Sequence, residues 1–191
     1  MLPAQVRLEL PDWVASAIDL ARALPSDADK VALAIELSRR NIAAETGGPF
    51  GAAVFGPDHR VVAVGVNVVL PQHASVAHAE TMAYMLAQQA LGRARLNERA
   101  DGSRDGPYAL ATSAQPCCQC YGATVWAGVD RLLIGARSED VEALTEFDEG
   151  PLPTDWVREL GKRGIAVVRD LHREEACAVL AGYGAQGGKR Y

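Results

Sequence analysis

Hydrophobic positions in residues 26–45, SDADKVALAIELSRRNIAAE, recur at helical spacing. Val31, Ala34, Ile35, Ser38 and Ile42 share one face, and Ser26 with Asp29 resembles a capping box. Gly47-Gly48-Pro49 ends this helix. The period then changes: residues 50–55 and 61–70 are short runs rich in β-branched side chains, joined by Gly56-Pro57-Asp58, and they predict a hairpin. Beyond it the pattern predicts a helix over 77–92, a strand over 108–113, a helix over 117–128 and a strand over 130–136. Two further helices, over 138–146 and 156–162, precede a last strand over 165–170. After the opening hairpin, strands alternate with helices, which argues for a mostly parallel sheet covered on both faces.

The ends and one connection complete the outline. Residues 12–24 predict an additional helix, and 171–180 an amphipathic helix leading into the glycine-rich tail GYGAQGGKRY. Residues 92–107, GRARLNERADGSRDGP, mix both charges with glycine and predict an exposed connection without a packed face. A length of 191 residues fits one domain over 1–191, with 1–25 an extra N-terminal element. Apolar runs stop well short of the ~18 residues a membrane span requires, and no basic segment followed by an apolar stretch opens the chain, so a soluble cytoplasmic protein is expected.

A formal net charge of -5 with scattered basic residues offers no footprint for a long polyanion, so nucleic acid is not expected as a partner. Three of the four cysteines crowd into Cys117, Cys118 and Cys120, which points to metal or catalysis in a reducing compartment rather than to disulfides. Cys117 and Cys120 stand three apart after Pro116, a residue favoured at the first helical position, so the two side chains are expected on one face of a helix start. Cys118 falls off that face and is expected to pack. His78 and Glu80 open another predicted helix. One imidazole and two thiolates suit zinc and leave a fourth position for water, while Glu80 would serve as the proton shuttle. The pairing of H-x-E with P-C-x-x-C is the known signature of zinc deaminases, in which the Glu is the acid/base and not a ligand.

These motifs resemble the cytidine deaminase-like superfamily and, within it, bacterial guanine deaminases, including those related to the ammeline-hydrolysing type. Beyond the zinc motifs the resemblance rests on GGPFGAAVF (47–55), GVNVV (65–69), AHAE (77–80), VWAGV (125–129), and ARSEDVEAL (136–144) leading to FDEGP (147–151). It runs from about Asp29 to the C-terminus. The resemblance implies an α/β fold, a three-layer α/β/α sandwich around a five-stranded mixed, mostly parallel sheet. It also implies a Zn2+ enzyme of purine metabolism acting on a free nucleobase, guanine first. The expected assembly is a homodimer in which residues 171–191 are candidates for exchange between subunits. By the same resemblance Asn67 hydrogen-bonds the base, Phe50 and Trp126 form aromatic walls, and the backbone N–H of Ala79 contacts the substrate. Glu149 grips the amino-bearing edge as a second proton shuttle, with Asp148 and Tyr191 as further contacts.

Three departures from the family pattern stand out. Leu144-Thr145-Glu146-Phe147 adds a residue before the FDE motif, which makes Glu146 a competitor for the role of Glu149. Gln115 replaces the usual Glu before PCxxC and Gln119 the common Met, and the segment around Trp13 lies outside the shared region. Other amino-heterocycles, an s-triazine such as ammeline, cytosine or a pterin, share the flat ring and exocyclic amine of guanine and stay open as substrates. A non-catalytic module, with zinc stapling two helices and Cys177 or His73 as fourth ligand, is the alternative from another class. A thioredoxin-like C-x-x-C would leave His78 and Glu80 unexplained.

Overall fold

The computed structural model describes residue 2 and residues 4–189. A hairpin of β1 (Gly51–Phe55) and β2 (Val61–Val66) opens a five-stranded sheet that continues with β3 (Ala109–Ala114), β4 (Arg131–Ala136) and β5 (Ala166–Val168). The spatial order is β2-β1-β3-β4-β5. β1 runs antiparallel to both neighbours, and the β3–β4 and β4–β5 pairs are parallel. The parallel half is the part that the strand–helix alternation foretold.

Each strand feeds two cores by its alternation. Ala53 and Phe55 of β1, Ala111 of β3 and Leu133 of β4 join one cluster, completed by Val31 and Ile35 of α2 (Asp27–Ala43) and Leu180 of α8 (Arg173–Ala185). Ala52, Val54, Leu110, Leu132 and Ile134 face the other side. There they meet α4 (Ala79–Leu91), α5 (Cys118–Ala127) and Leu160 of α7 (Trp156–Gly161). α6 (Ser138–Thr145) packs against α8, which also lies on α2 and β4 of its own chain. Ser26 caps α2 by accepting from the Asp29 amide, as the sequence predicts. Among the described residues no helix is long and apolar enough to cross a membrane.

Several expectations are corrected. The helix over 12–24 shortens to α1 (Trp13–Ala17), because the segment before Pro25 is biased to extended backbone and finds partners on the hairpin turn. Ala23 bridges Arg60, and Leu24 N donates to His59 O at 2.9 Å. β2 stops at Val66 instead of running to residue 70, and the chain turns at Asn67 into the short α3 (Val69–Gln72). The 92–107 connection has a packed face after all. Leu96 is fully buried, its amide donates to Ala127 O, and Asn97 Nδ2 donates to Asp130 Oδ1 at 2.9 Å.

Candidate active site

Two helix starts and one loop build the site. His78 is the N-cap of α4 and Cys117 the N-cap of α5, both in extended backbone, so their side chains turn toward the space in front of the first-turn amides. Pro116 therefore precedes the cap instead of occupying the first helical position. Cys120 sits one turn further on the buried face. The α4 start is pressed onto β2 by Gly65: a Cβ there would lie 2.0 Å from Ala79 O. Tyr84 and Thr124 join α4 to α5 at 2.9 Å between their hydroxyls. His78 and Glu80 consequently ride on one rigid element and the two thiols on another.

His78 Nδ1 lies 3.4 Å from Cys117 Sγ and 3.6 Å from Cys120 Sγ. A tetrahedral zinc with ordinary Zn–S and Zn–N bonds places sulfur and nitrogen about 3.5 Å apart, so the donors fit the ion in type and in spacing. These three are the metal-ligating cluster found among the described residues; His73 is exposed and Cys177 lies by Asp140, so neither supplies a fourth donor. The imidazole also hydrogen-bonds the backbone of Ser75, the kind of outer contact that fixes a ligating ring.

Charge is concentrated here. The hydrogen bond from Cys120 above all holds Cys117 down at about 4, and the same pairing, with burial, pushes Cys120 up. Metal ligation by this pair would require both thiols to be deprotonated. Burial works against the charged imidazole of His78, but its hydrogen bond to Cys117 and the charges of Glu80 and Cys117 outweigh burial and raise its pKa. Glu80 is 7% exposed, and burial followed by the Cys117 charge lifts it to about 7. Its carboxyl accepts from Thr112 Oγ1 and from Cys120 Sγ, each at 3.4 Å.

A cavity opens in front of these groups, lined by Phe50, Asn67, His78, Glu80, Gln115, Cys117, Phe147, Asp148 and Glu149. Asn67 is buried, its backbone carbonyl held by Asn41 Nδ2 at 2.8 Å. Glu149 is 6% exposed and rises to about 9, first through burial and then through the charges of Cys117 and Glu80. Glu149, and not Glu146, faces the cavity; Glu146 is the exposed left-handed cap of α6 and absorbs the extra residue. Asp148 is at the rim, where Oδ1 accepts from Gly150 N. Ala79 is buried in the first turn of α4, and Tyr191 lies outside the described residues.

Trp126 is corrected: it is 73% exposed on α5 and does not line this cavity. Cys120, Thr124 and Ala127 take the inner face of α5, and at ~100° per residue Trp126 stands about 180° from Cys117. That helical phase was readable from the thiol spacing. Cys118, expected to pack, is also exposed, with Sγ against Gly150. Sequence reasoning missed Phe147 as a wall; its ring meets Phe50 edge-on at 5.4 Å between centroids and 61° between planes. The FDEGP motif marked the segment, but the loop geometry decides which of its side chains turn inward.

Residues 25–136 match the family model for the cytidine and deoxycytidylate deaminase zinc-binding region. The guanine deaminase of Bacillus subtilis (strain 168) is 33% identical over 116 residues, spanning 61% of this chain and 67% of that protein. The solved structure described as guanine deaminase from Nitrosomonas europaea superposes with a TM-score of 0.87 at 42% identity, covering 97% of this chain and 99% of the other. A structure of NE0047 in complex with 2,6-diaminopurine gives 0.86 at 44% identity, covering 97% and 95%.

Proposed function

The chain belongs to the family of the cytidine and deoxycytidylate deaminase zinc-binding region, and from that premise we propose that it hydrolyses guanine to xanthine and ammonia. The observation that carries the reading is a buried carboxyl, Glu80, set beside a His-Cys-Cys cluster at the floor of a cavity walled by two aromatic rings. The relatives described as guanine deaminases, and the diaminopurine held by NE0047, support the choice of base. So does charge: among the described residues the ionisable lining side chains other than His78 and Cys117 are Glu80, Asp148 and Glu149, and none is a lysine or arginine. That favours a free base over a nucleotide and leaves nucleic acid without an anchor.

His78, Cys117 and Cys120 would hold the zinc. When bound, zinc lowers the pKa of a coordinated water toward 7 and so supplies a nucleophile at neutral pH. Glu80 would take a proton from the attacking water, pass it to the ring nitrogen beside the amino-bearing carbon, and then deliver a proton to the departing amine. A carboxyl poised near neutrality suits both halves of this transfer. Glu149 enters protonated, faces the amino-bearing edge and serves as the second donor. Phe50 and Phe147 hold the flat ring, Asn67 fixes its orientation, and the Ala79 N–H, a first-turn donor, meets an oxygen or ring nitrogen near the metal. Water and guanine are consumed; the carbon–nitrogen bond breaks, a carbon–oxygen bond forms, and ammonia leaves.

Residues 1–191 act as one deaminase unit in this reading, working as a homodimer. Exposed Trp126 on the thiol-bearing helix supports a partner on that face, and sedimentation equilibrium tests it. The decisive experiment measures ammonia release from a panel of guanine, ammeline, cytosine and a pterin, with and without a chelator. Guanine should rank first, and Glu80→Gln should keep its zinc yet lose at least about 100-fold in turnover. A Glu80→Gln enzyme as fast as wild type would overturn the mechanism, and guanine far below another base would overturn the substrate.

A further inference from the structure

Phe147 forms one wall of the cavity but does not hold itself there. Its outer side is covered by Tyr183 of α8, stacked at 6.2 Å between centroids and 15° between planes. The next residue, Gly184, is where α8 touches the end of α6: a Cβ at Gly184 would lie 2.0 Å from Leu144 O. Glycine inside a helix costs roughly 0.5–1 kcal/mol relative to alanine, so its presence calls for a compensating close approach. Gly182, two residues earlier on the same helix, has open space where its Cβ would be. The contrast singles out 183–184 as the point where α8 supports the segment that leaves α6, turns at left-handed Glu146 and presents Phe147, Asp148 and Glu149. From the cavity side Phe50 meets Phe147 edge-on and Glu149 O accepts from Cys118 N at 2.9 Å, and within the segment Phe147 N donates to Thr145 Oγ1 at 3.3 Å.

We propose that Tyr183 and Gly184 are positioning residues for the base-binding side of the cavity. Tyr183 fixes the plane of Phe147 by stacking, and Gly184 lets α8 close on Leu144 so that Glu149 is presented at its depth. Neither touches the cavity itself. The activity measurements below rest on the guanine reading; the exchange measurements do not.

The test uses the full chain loaded with zinc. It compares Tyr183→Leu, Tyr183→Phe, Gly184→Ala and Gly182→Ala by amide hydrogen exchange over residues 145–150, zinc content, and KM and kcat for ammonia release from guanine. Tyr183→Leu should speed exchange in 147–150 and raise KM about threefold to tenfold, the size of one aromatic pair, with zinc content unchanged. Tyr183→Phe keeps the ring while losing the bond its hydroxyl donates to Lys189 O, and should restore both readouts. Gly184→Ala should speed exchange and lower kcat about tenfold, since misplacing Glu149 touches the chemical step. Gly182→Ala should change neither. If Tyr183→Leu does not fold, Tyr183→Met carries the same comparison. Wild-type exchange over 145–150 in both Tyr183→Leu and Gly184→Ala would overturn the proposal, as would Tyr183→Phe being as impaired as the leucine variant. Should wild type release no ammonia from guanine, the guanine reading fails while the exchange data still decide the positioning roles.

Discussion

His78, Glu80, Cys117 and Cys120 reach the cavity from the first turns of two helices, whereas Phe147, Asp148 and Glu149 reach it from a loop. On the helical side the backbone is fixed by contacts with no slack: Gly65 against Ala79, Tyr84 bonded to Thr124, Thr112 beneath Glu80. The loop side depends on α8 behind it and on a left-handed turn at Glu146 before it. Groups mounted on helices and strands hold their geometry more tightly than groups on loops. In the proposed mechanism, metal binding and the Glu80 proton transfers therefore sit where the scaffold is stiff, while Glu149 and the Phe147 wall sit where substitution and insertion are tolerated. The extra residue ahead of FDE in this chain falls on the tolerant side.

The comparison is broken first by removing the metal. Cys120→Ala takes away a fully buried donor, and both zinc content and turnover should collapse, the latter by about 1,000-fold or more. Metal analysis beside an ammonia assay checks this; full zinc with full activity would move the metal elsewhere.

A sharper trial applies one substitution to each side. Gly65→Ala forces α4 off β2, carrying His78 and Glu80 with it, and should lower kcat about 100-fold, as misplacements near 1 Å do. Gly150→Ala meets the exposed Cys118 side chain, Sγ at 2.5 Å and Cβ at 3.3 Å, and a positive φ of 66°. It should lower kcat only about tenfold, because a loop gives way where a helix on a sheet does not. Steady-state kinetics on the two variants decide between them; equal effects on kcat would erase the distinction.

The same division governs how much was visible in the amino-acid sequence. Cys117 and Cys120 stand three apart at a predicted helix start, His78 and Glu80 open another predicted helix, and the hairpin is announced by a turn between two β-branched runs. These are local rules. Phe147 and Tyr183 are far apart in the chain, so their stacking depends on how α6 and α8 cross. Leu96 looked solvated because its neighbours are charged; its burial goes with hydrogen bonds from its own amide to Ala127 O and from the Asn97 amide to Gly128 O, which no local pattern records. Trp126 was legible in principle, since the inner positions of α5 were already claimed by the thiols.

The smallest expected effect lies at the support of the loop side. Asp140 on α6 receives two hydrogen bonds at 2.7 Å from the Arg173 guanidinium on α8, and that pairing first of all holds its pKa down at about 2, against an ordinary 3.8. The folded value lies below the unfolded one, so the contribution to stability is complete above about pH 4 and is lost as pH falls toward 2. Arg173 is 34% exposed, so solvent screening reduces the contribution to about 1 kcal/mol. Asp140→Asn should lower Tm by roughly 2–4 °C at pH 7. The gap between variant and wild type should close progressively below pH 4, and added salt should narrow it at pH 7, because the pair is only partly shielded. Thermal melts across that range check the sign: a gap that widens on acidification would mean that Asp140 is stabilised in its protonated form.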